Sequence, residues 1–229
     1  MDESLYDIKG SELDIDWIDI EFSSIMCELD ALRRHLTLIE DEILEISREA
    51  KNRKKRSIQK IRKENLDPVE CDIECGQIEF DHHQMITIDL PRLLRGSFVV
   101  ILFAAFEATN EEIMRFVKEQ RNSSKVKEGR KQMSDIFKDC KNESPDGVDN
   151  LEVLKYVRDA YAHSNGRFEA VNMKTQRKID EYLEKDIGIQ IVSGFIVISK
   201  TLLQSLFDSV VNSIECQIKT TKERYETDS

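Results

Sequence analysis

Turn-forming residues are scarce in this chain: 3 Pro and 8 Gly among 229 residues. That supply is too small for the many tight corners of an all-β fold and favours long helices. Five cysteines, at 27, 71, 75, 140 and 216, are an odd number without a regular spacing, which excludes a small disulfide scaffold. With an acidic start, Met1-Asp2-Glu3, and no apolar leader, they lead to the expectation of a cytoplasmic protein with reduced thiols. No run reaches 18 apolar residues, so no membrane span is expected. Positive charge is in deficit, 34 Lys and Arg against 45 Asp and Glu for a net charge of −11. Broad nonspecific binding to nucleic acid is therefore disfavoured, and any RNA contact must come from a local basic patch. There is no Gly-rich phosphate loop, dinucleotide fingerprint or H-E-x-x-H, and no Ser or Cys is set beside a base. No cofactor is expected.

What is present is a helical, charged profile, 40% hydrophobic and 34% charged. Residues 1–21 carry eight Asp or Glu against Lys9 alone. Leu13, Ile15 and Trp17 alternate with acids there, which suggests a short extended segment or an acidic arm without fixed structure. Residues 22–224 then read as one helical domain. Its first element, 22–63, places Phe22, Ile25, Leu29, Leu32, Leu36, Ile39, Ile43, Ile46 and Ala50 at alternating steps of three and four. That is a heptad seam, open between a dimer-forming coiled coil and a bundle helix packed on its own domain. Its end is basic: nine Lys or Arg against Glu49 alone fall between 48 and 63, including Lys51, Arg53, Lys54, Lys55 and Arg56. Such a cluster in an acidic chain suits RNA phosphates or an acidic partner, or is a solvated helix end favoured by the dipole.

Residues 64–90 show no helical period, and Leu66-Asp67-Pro68 breaks the preceding helix. Ile78, Phe80, Ile86 and Ile88 suggest short strand-like pieces. Cys71, Cys75, His82 and His83 match no common zinc spacing, and no metal site is expected. A core element, 89–222, follows. Asp89 and Pro91 read as the cap and first turn of a helix. Every residue from Phe98 to Phe106 is apolar, the pattern of a helix buried on all sides. Glu107 lies at its edge, where a buried carboxylate needs a partner, Arg158 or a structural cation. A shorter helix is expected over 128–140, with Met133, Ile136 and Phe137 inward, and a turn over 142–147. Asp149 or Asn150 caps the next helix, with Leu151, Leu154 and Val157 as its buried stripe.

That helix carries the stretch Arg158-Asp159-Ala160-Tyr161-Ala162-His163-Ser164-Asn165-Gly166, with one of only four histidines. Asn165-Gly166 is a helix stop, because left-handed backbone is cheap for Gly and tolerable for Asn. Five residues carry the helix roughly 140° past a full turn, so Arg158 and His163 reach a common cleft only if the helix end lets the imidazole swing round. Asp159 is the i,i+4 neighbour of His163 and is placed to fix its tautomer. An Arg, an Asp and a His together suit phosphodiester chemistry: His moves protons, Arg neutralises the phosphorane, Asp orients the His. Ordinary capping of a helix C-terminus by basic residues is the competing explanation. Tyr156 and Tyr161 are available either to stack on a base or to pack in the core.

Arg158 through His163 resembles the R-x4-6-H motif of the HEPN superfamily, helical-bundle proteins many of which are metal-independent endoribonucleases. The residue after the Arg, most often Asn in that family, is Asp159 here. The apolar helix from Leu93 to Ala108 also resembles one found in prokaryotic members, and the likeness spans roughly residues 90–220. The resemblance implies RNA cleavage leaving a 2′,3′-cyclic phosphate, with Arg158, His163 and Asp159 catalytic; Glu107 and Tyr161 are expected in support from their places near that cleft. It implies a homodimer that pairs two motif helices, and a toxin–antitoxin, abortive-infection or antiviral setting with an antitoxin or other partner protein. The superfamily also has members without nuclease activity, so a non-catalytic interaction or nucleotide-binding module is the alternative.

After Gly166 a helix is expected around 174–185. A β-hairpin with its turn at Ser193-Gly194 follows, then a last amphipathic helix over about 199–222. The expected fold is mainly α, a bundle of long antiparallel helices with one small hairpin.

Overall fold

The computed structural model describes residues 10–64, 67–120 and 149–228. The protein is mainly α with one small β-hairpin. In chain order the elements are α1 (Gly10–Ile61), α2 (Pro68–Gln84), a π-helical turn (Met85–Asp89) and α3 (Leu90–Gln120). These are followed by α4 (Asn150–Ser164), a 3₁₀ turn (Phe168–Ala170), α5 (Met173–Glu184), β1 (Ile189–Val192), β2 (Phe195–Ile198) and α6 (Lys200–Asp228). The expected 128–140 helix and the turn after it lie outside the described residues.

The chain forms two compact units. The first takes residues 1–33, 104–149 and 208–229. Its apolar interior is drawn from Phe22, Ile25, Leu29, Ile113, Phe116 and Ile214. Phe22 and Phe116 meet there with ring centroids 5.2 Å apart. The second takes residues 34–103 and 150–207. Phe98 lies at its centre, fully buried, with Phe207 at 6.4 Å and the His35 ring edge-on at 5.7 Å. Arg95 clasps Glu40 through two hydrogen bonds of 2.7 and 2.9 Å and donates a third to the Ile198 carbonyl at 3.0 Å. This buried, bidentate pair ties α1, α3 and β2 together in the second unit.

The heptad seam of α1 is buried by the chain itself from Phe22 to Ile43 and at Ala50, with Ile46 partly exposed. It is thus the inner face of a bundle helix. The helix starts at Gly10, so Leu13, Ile15 and Trp17 are helical and do not form an extended segment. Carboxylates early in a helix suit its dipole, and the short alternation of apolar and acidic residues there does not make a strand.

Three further expectations fail for identifiable reasons. Residues 68–84 are a helix, not strand-like pieces. Asp67 accepts a hydrogen bond from the Val69 N–H at 2.9 Å, and Pro68 occupies the first turn. The helix buries no residue, so it shows no apolar stripe. Asp89 is no cap: the π turn joins α2 to α3, with the Leu90 N–H reaching back to the Met85 carbonyl. This wider i→i−5 turn makes room for the Pro91 ring, which in a regular helix would press on the carbonyl four residues before it. The apolar run Phe98–Phe106 is open on one side, where Ile101 is 41% exposed and Ala104 is exposed. An apolar run sets which faces can be buried, and a surface tolerates isolated apolar side chains.

The hairpin pairs Ile189 with Ile198 through Val192 with Phe195. Its turn is Ser193-Gly194, both with positive φ (51° and 80°) as a two-residue hairpin requires. Asn172 caps α5 by accepting from the Thr175 N–H at 3.0 Å.

Candidate functional site

The motif helix α4 ends as the Asn-Gly pair demands. Asn165 and Gly166 have φ of 49° and 74°. Their N–H groups donate to the carbonyls of Tyr161 at 3.0 Å and Ala160 at 3.1 Å, which satisfies the last carbonyls of the helix. Three contacts then fix this end. Arg92, itself buried, donates from Nη1 to the Asn165 carbonyl at 3.0 Å, and its guanidinium lies 4.5 Å over the Phe195 ring. The Ile196 N–H donates to the Gly166 carbonyl at 2.8 Å. The Tyr161 hydroxyl donates to the Ile196 carbonyl at 2.7 Å.

Tyr161 is therefore a core residue. Burial pushes its phenol well above the usual range, against the opposing pull of Arg92 and Arg95. Its ring fills the space beside Gly96, where a Cβ would stand 2.8 Å from Tyr161 Cζ and closer still to the ring edge. Neither it nor Tyr156, which is also buried, offers a face for a base to stack on, so the supporting role expected of Tyr161 becomes a packing one.

Arg158 lies mid-helix and His163 in the last turn of α4, in different surroundings. The Arg158 guanidinium lies 4.2 Å from the centre of the Phe103 ring and pairs with Asp159 Oδ1 at 2.8 Å. Both side chains of that pair are about a quarter exposed, at 25% and 24%. His163 is exposed in the last turn. Asp159 thus engages Arg158, and among the described residues no hydrogen bond joins it to His163. A cation held on an aromatic face can present positive charge to an anion, and an exposed imidazole can carry a proton. Glu107 is exposed and belongs to the first unit. The burial cost that called for a cationic partner does not arise.

Lys51, Arg53, Lys55 and Arg56 are exposed on α1 and Lys54 partly so. Among the four possible metal ligands after α1, the Cys71 thiol is pushed above its usual value, first by burial and then by neighbouring Cys75. His83 Nδ1 is 3.2 Å from the Thr87 hydroxyl. Among the described residues no three His, Cys, Asp or Glu converge as a metal site. Cys27, Cys71 and Cys75 are free thiols, but Cys216 is disulfide-bonded, against the expectation of reduced thiols throughout. Among the described residues no helix is long and apolar enough to cross a membrane.

Sequence reasoning missed Arg92, Arg95 and Gly96, which seat the motif. One signal was available: a Gly inside a helical pattern marks close packing. Comparison of the chain with protein-family models, curated proteins and solved structures gives no match.

Proposed function

We propose that this protein is a metal-independent endoribonuclease of the HEPN type, acting in a toxin–antitoxin, abortive-infection or antiviral setting. The observation that supports it is the seating of Arg158 on Phe103 with an exposed His163 one helical segment later. In this mechanism the ribose 2′-oxygen forms a bond to phosphorus and the bond from phosphorus to the 5′-oxygen breaks. His163 takes the 2′-OH proton, and His163 of a second copy gives a proton to the leaving 5′-oxygen, because one imidazole per chain cannot do both at once. Arg158 stabilises the charged phosphorane. Asp159 holds the guanidinium in place. The products are a 2′,3′-cyclic phosphate and a free 5′-hydroxyl.

The alternative is a non-catalytic interaction or nucleotide-binding module. The Arg158–Asp159 pair favours it, since a carboxylate 2.8 Å away already neutralises the cation a phosphorane would need. The deciding experiment is RNA cleavage in EDTA by the full chain, His163→Ala and Arg158→Ala. Cleavage that survives chelation and disappears in both variants supports the nuclease. Equal cleavage by wild type and variants, or none by the wild-type dimer over a panel of RNAs, supports the module.

A further inference from the structure

The end of α1 and the whole of α2 carry opposite charge. Residues 48–63 hold nine Lys or Arg and one Glu, whereas residues 68–84 hold five Asp or Glu and no Lys or Arg. The two segments run antiparallel, joined at Ile61 and Pro68, and enclose a groove of about 490 Å³ lined at its far end by Ile46, Ala50, His82 and Met85. Neighbouring helices of opposite sign would be expected to pair with each other. They do not: Arg53 and Lys60 bond locally to Glu49 and Glu64, and among the described residues no ion pair joins the basic segment to α2. Arg53, Lys54 and Asp81 border the groove, and the other charges of both sets are exposed to solvent. The acidic helix also leaves three large apolar side chains open, Val69 at 65%, Ile73 at 66% and Phe80 at 63%. Gly76 between them has nothing within 4 Å of where a Cβ would stand.

We infer that this hairpin is a two-fold contact between copies of the chain, in which the basic end of α1 of each copy lies on the acidic α2 of the other. A hairpin with one positive and one negative arm is its own complement under a two-fold axis, so both charge sets are matched at once. Lys and Arg suit the apolar residues as well. Their aliphatic stems cover Val69 and Ile73 while the heads reach the flanking carboxylates, and a cation over the Phe80 ring adds attraction. The spacing supports such a contact. Lys51 and Lys55 lie on one stripe of α1, and Asp72, Gly76 and Glu79 on one stripe of α2. The contact uses no residue of α4: a monomeric wild type would remove both this contact and the pairing of two His163 side chains, whereas charge reversal on α1 and α2 bears on the hairpin alone.

The test is charge reversal with rescue, read by light scattering and sedimentation of the full chain. The wild type is expected to dimerise at low salt and to dissociate as salt rises, since exposed charges are screened. Lys51→Glu/Lys55→Glu alone and Asp72→Lys/Glu79→Lys alone should each weaken the dimer about tenfold or more. Mixed one to one they should dimerise again, because both contacts of the heterodimer are then matched. That recovery also shows both variants to be folded. A wild type that is monomeric at low salt, single variants that dimerise like wild type, or a mixture that stays monomeric would each overturn the inference. So would a Lys51→Glu/Lys55→Glu variant that loses affinity for a labelled single-stranded RNA with its self-association unchanged, which would assign the basic segment to RNA.

Discussion

Replacing Gly96 by Ala puts a methyl group where the Tyr161 ring already is. The new Cβ would lie 2.8 Å from Tyr161 Cζ and closer to two other ring carbons. The ring has little room to retreat, because Gly166 borders it too, with a would-be Cβ 2.9 Å from Cε1, and its hydroxyl is bound to the Ile196 carbonyl. Overpacking of this kind costs about 1–3 kcal/mol. Displacing the hydroxyl sacrifices about 1 kcal/mol more, and the better helix propensity of Ala returns about 1 kcal/mol. A net loss of about 1–3 kcal/mol should lower the melting temperature of the transition carrying the second unit by roughly 3–10 °C. Circular dichroism during heating and urea titration would measure it. The same substitution made in a Tyr161→Ala background should cost nothing, since the obstruction is gone. A Gly96→Ala protein that melts at or above the wild type would refute the packing described for the motif helix. So would additive losses in the two backgrounds.

Glu40→Gln leaves the Arg95 guanidinium, only 14% exposed, without its counter-charge, and should cost about 3 kcal/mol in urea unfolding. Replacing the pair together, Glu40→Leu with Arg95→Met, should recover most of that loss. His163→Ala removes an exposed side chain and should change stability by no more than about 0.5 kcal/mol, so loss of cleavage in that variant cannot be put down to unfolding. Burial raises the phenols of Tyr161 and Tyr182, the latter helped by Glu152. A group whose folded pKa is raised contributes its stability below the unfolded value, so none of it is lost until about pH 10, and it declines as pH rises further. Ultraviolet titration should show these two phenols ionising together with unfolding, and normal titration of all five tyrosines in the native protein would contradict the burial.

Local signals were legible. The Asn165-Gly166 stop, the Ser193-Gly194 turn and the buried seam of α1 are each set by a few adjacent residues, and each is where the sequence placed it. Features that depend on distant residues were not. Arg92 reaches Asn165 across 73 positions, and no periodicity encodes such a bond. Helix α2 escaped notice because a helix with no buried residue has no apolar stripe, although Asp67-Pro68 announced its start. Asp89 and Pro91 imitate a helix start, and only the intervening π turn shows why a proline can stand within continuous helix. At the candidate site the sequence marked the residues themselves, but not that Asp159 would turn to Arg158, nor that Tyr161 would be spent on packing.

The π turn from Met85 to Asp89 also sets a phase. A π turn is one residue more than a regular helix needs, and each residue advances a helix by about 100°. Deleting a single residue between 85 and 89 would therefore swing α2 about its own axis by roughly that angle relative to α3. The side of α2 that now lines the groove with Ile78 and His82 would turn away from α1, and another side would take its place. Pro91 guards against this, because its ring fits poorly on a regular turn. The two features act together as a register lock, and a one-residue change in length there would be felt along all of α2, where a substitution would be felt only locally.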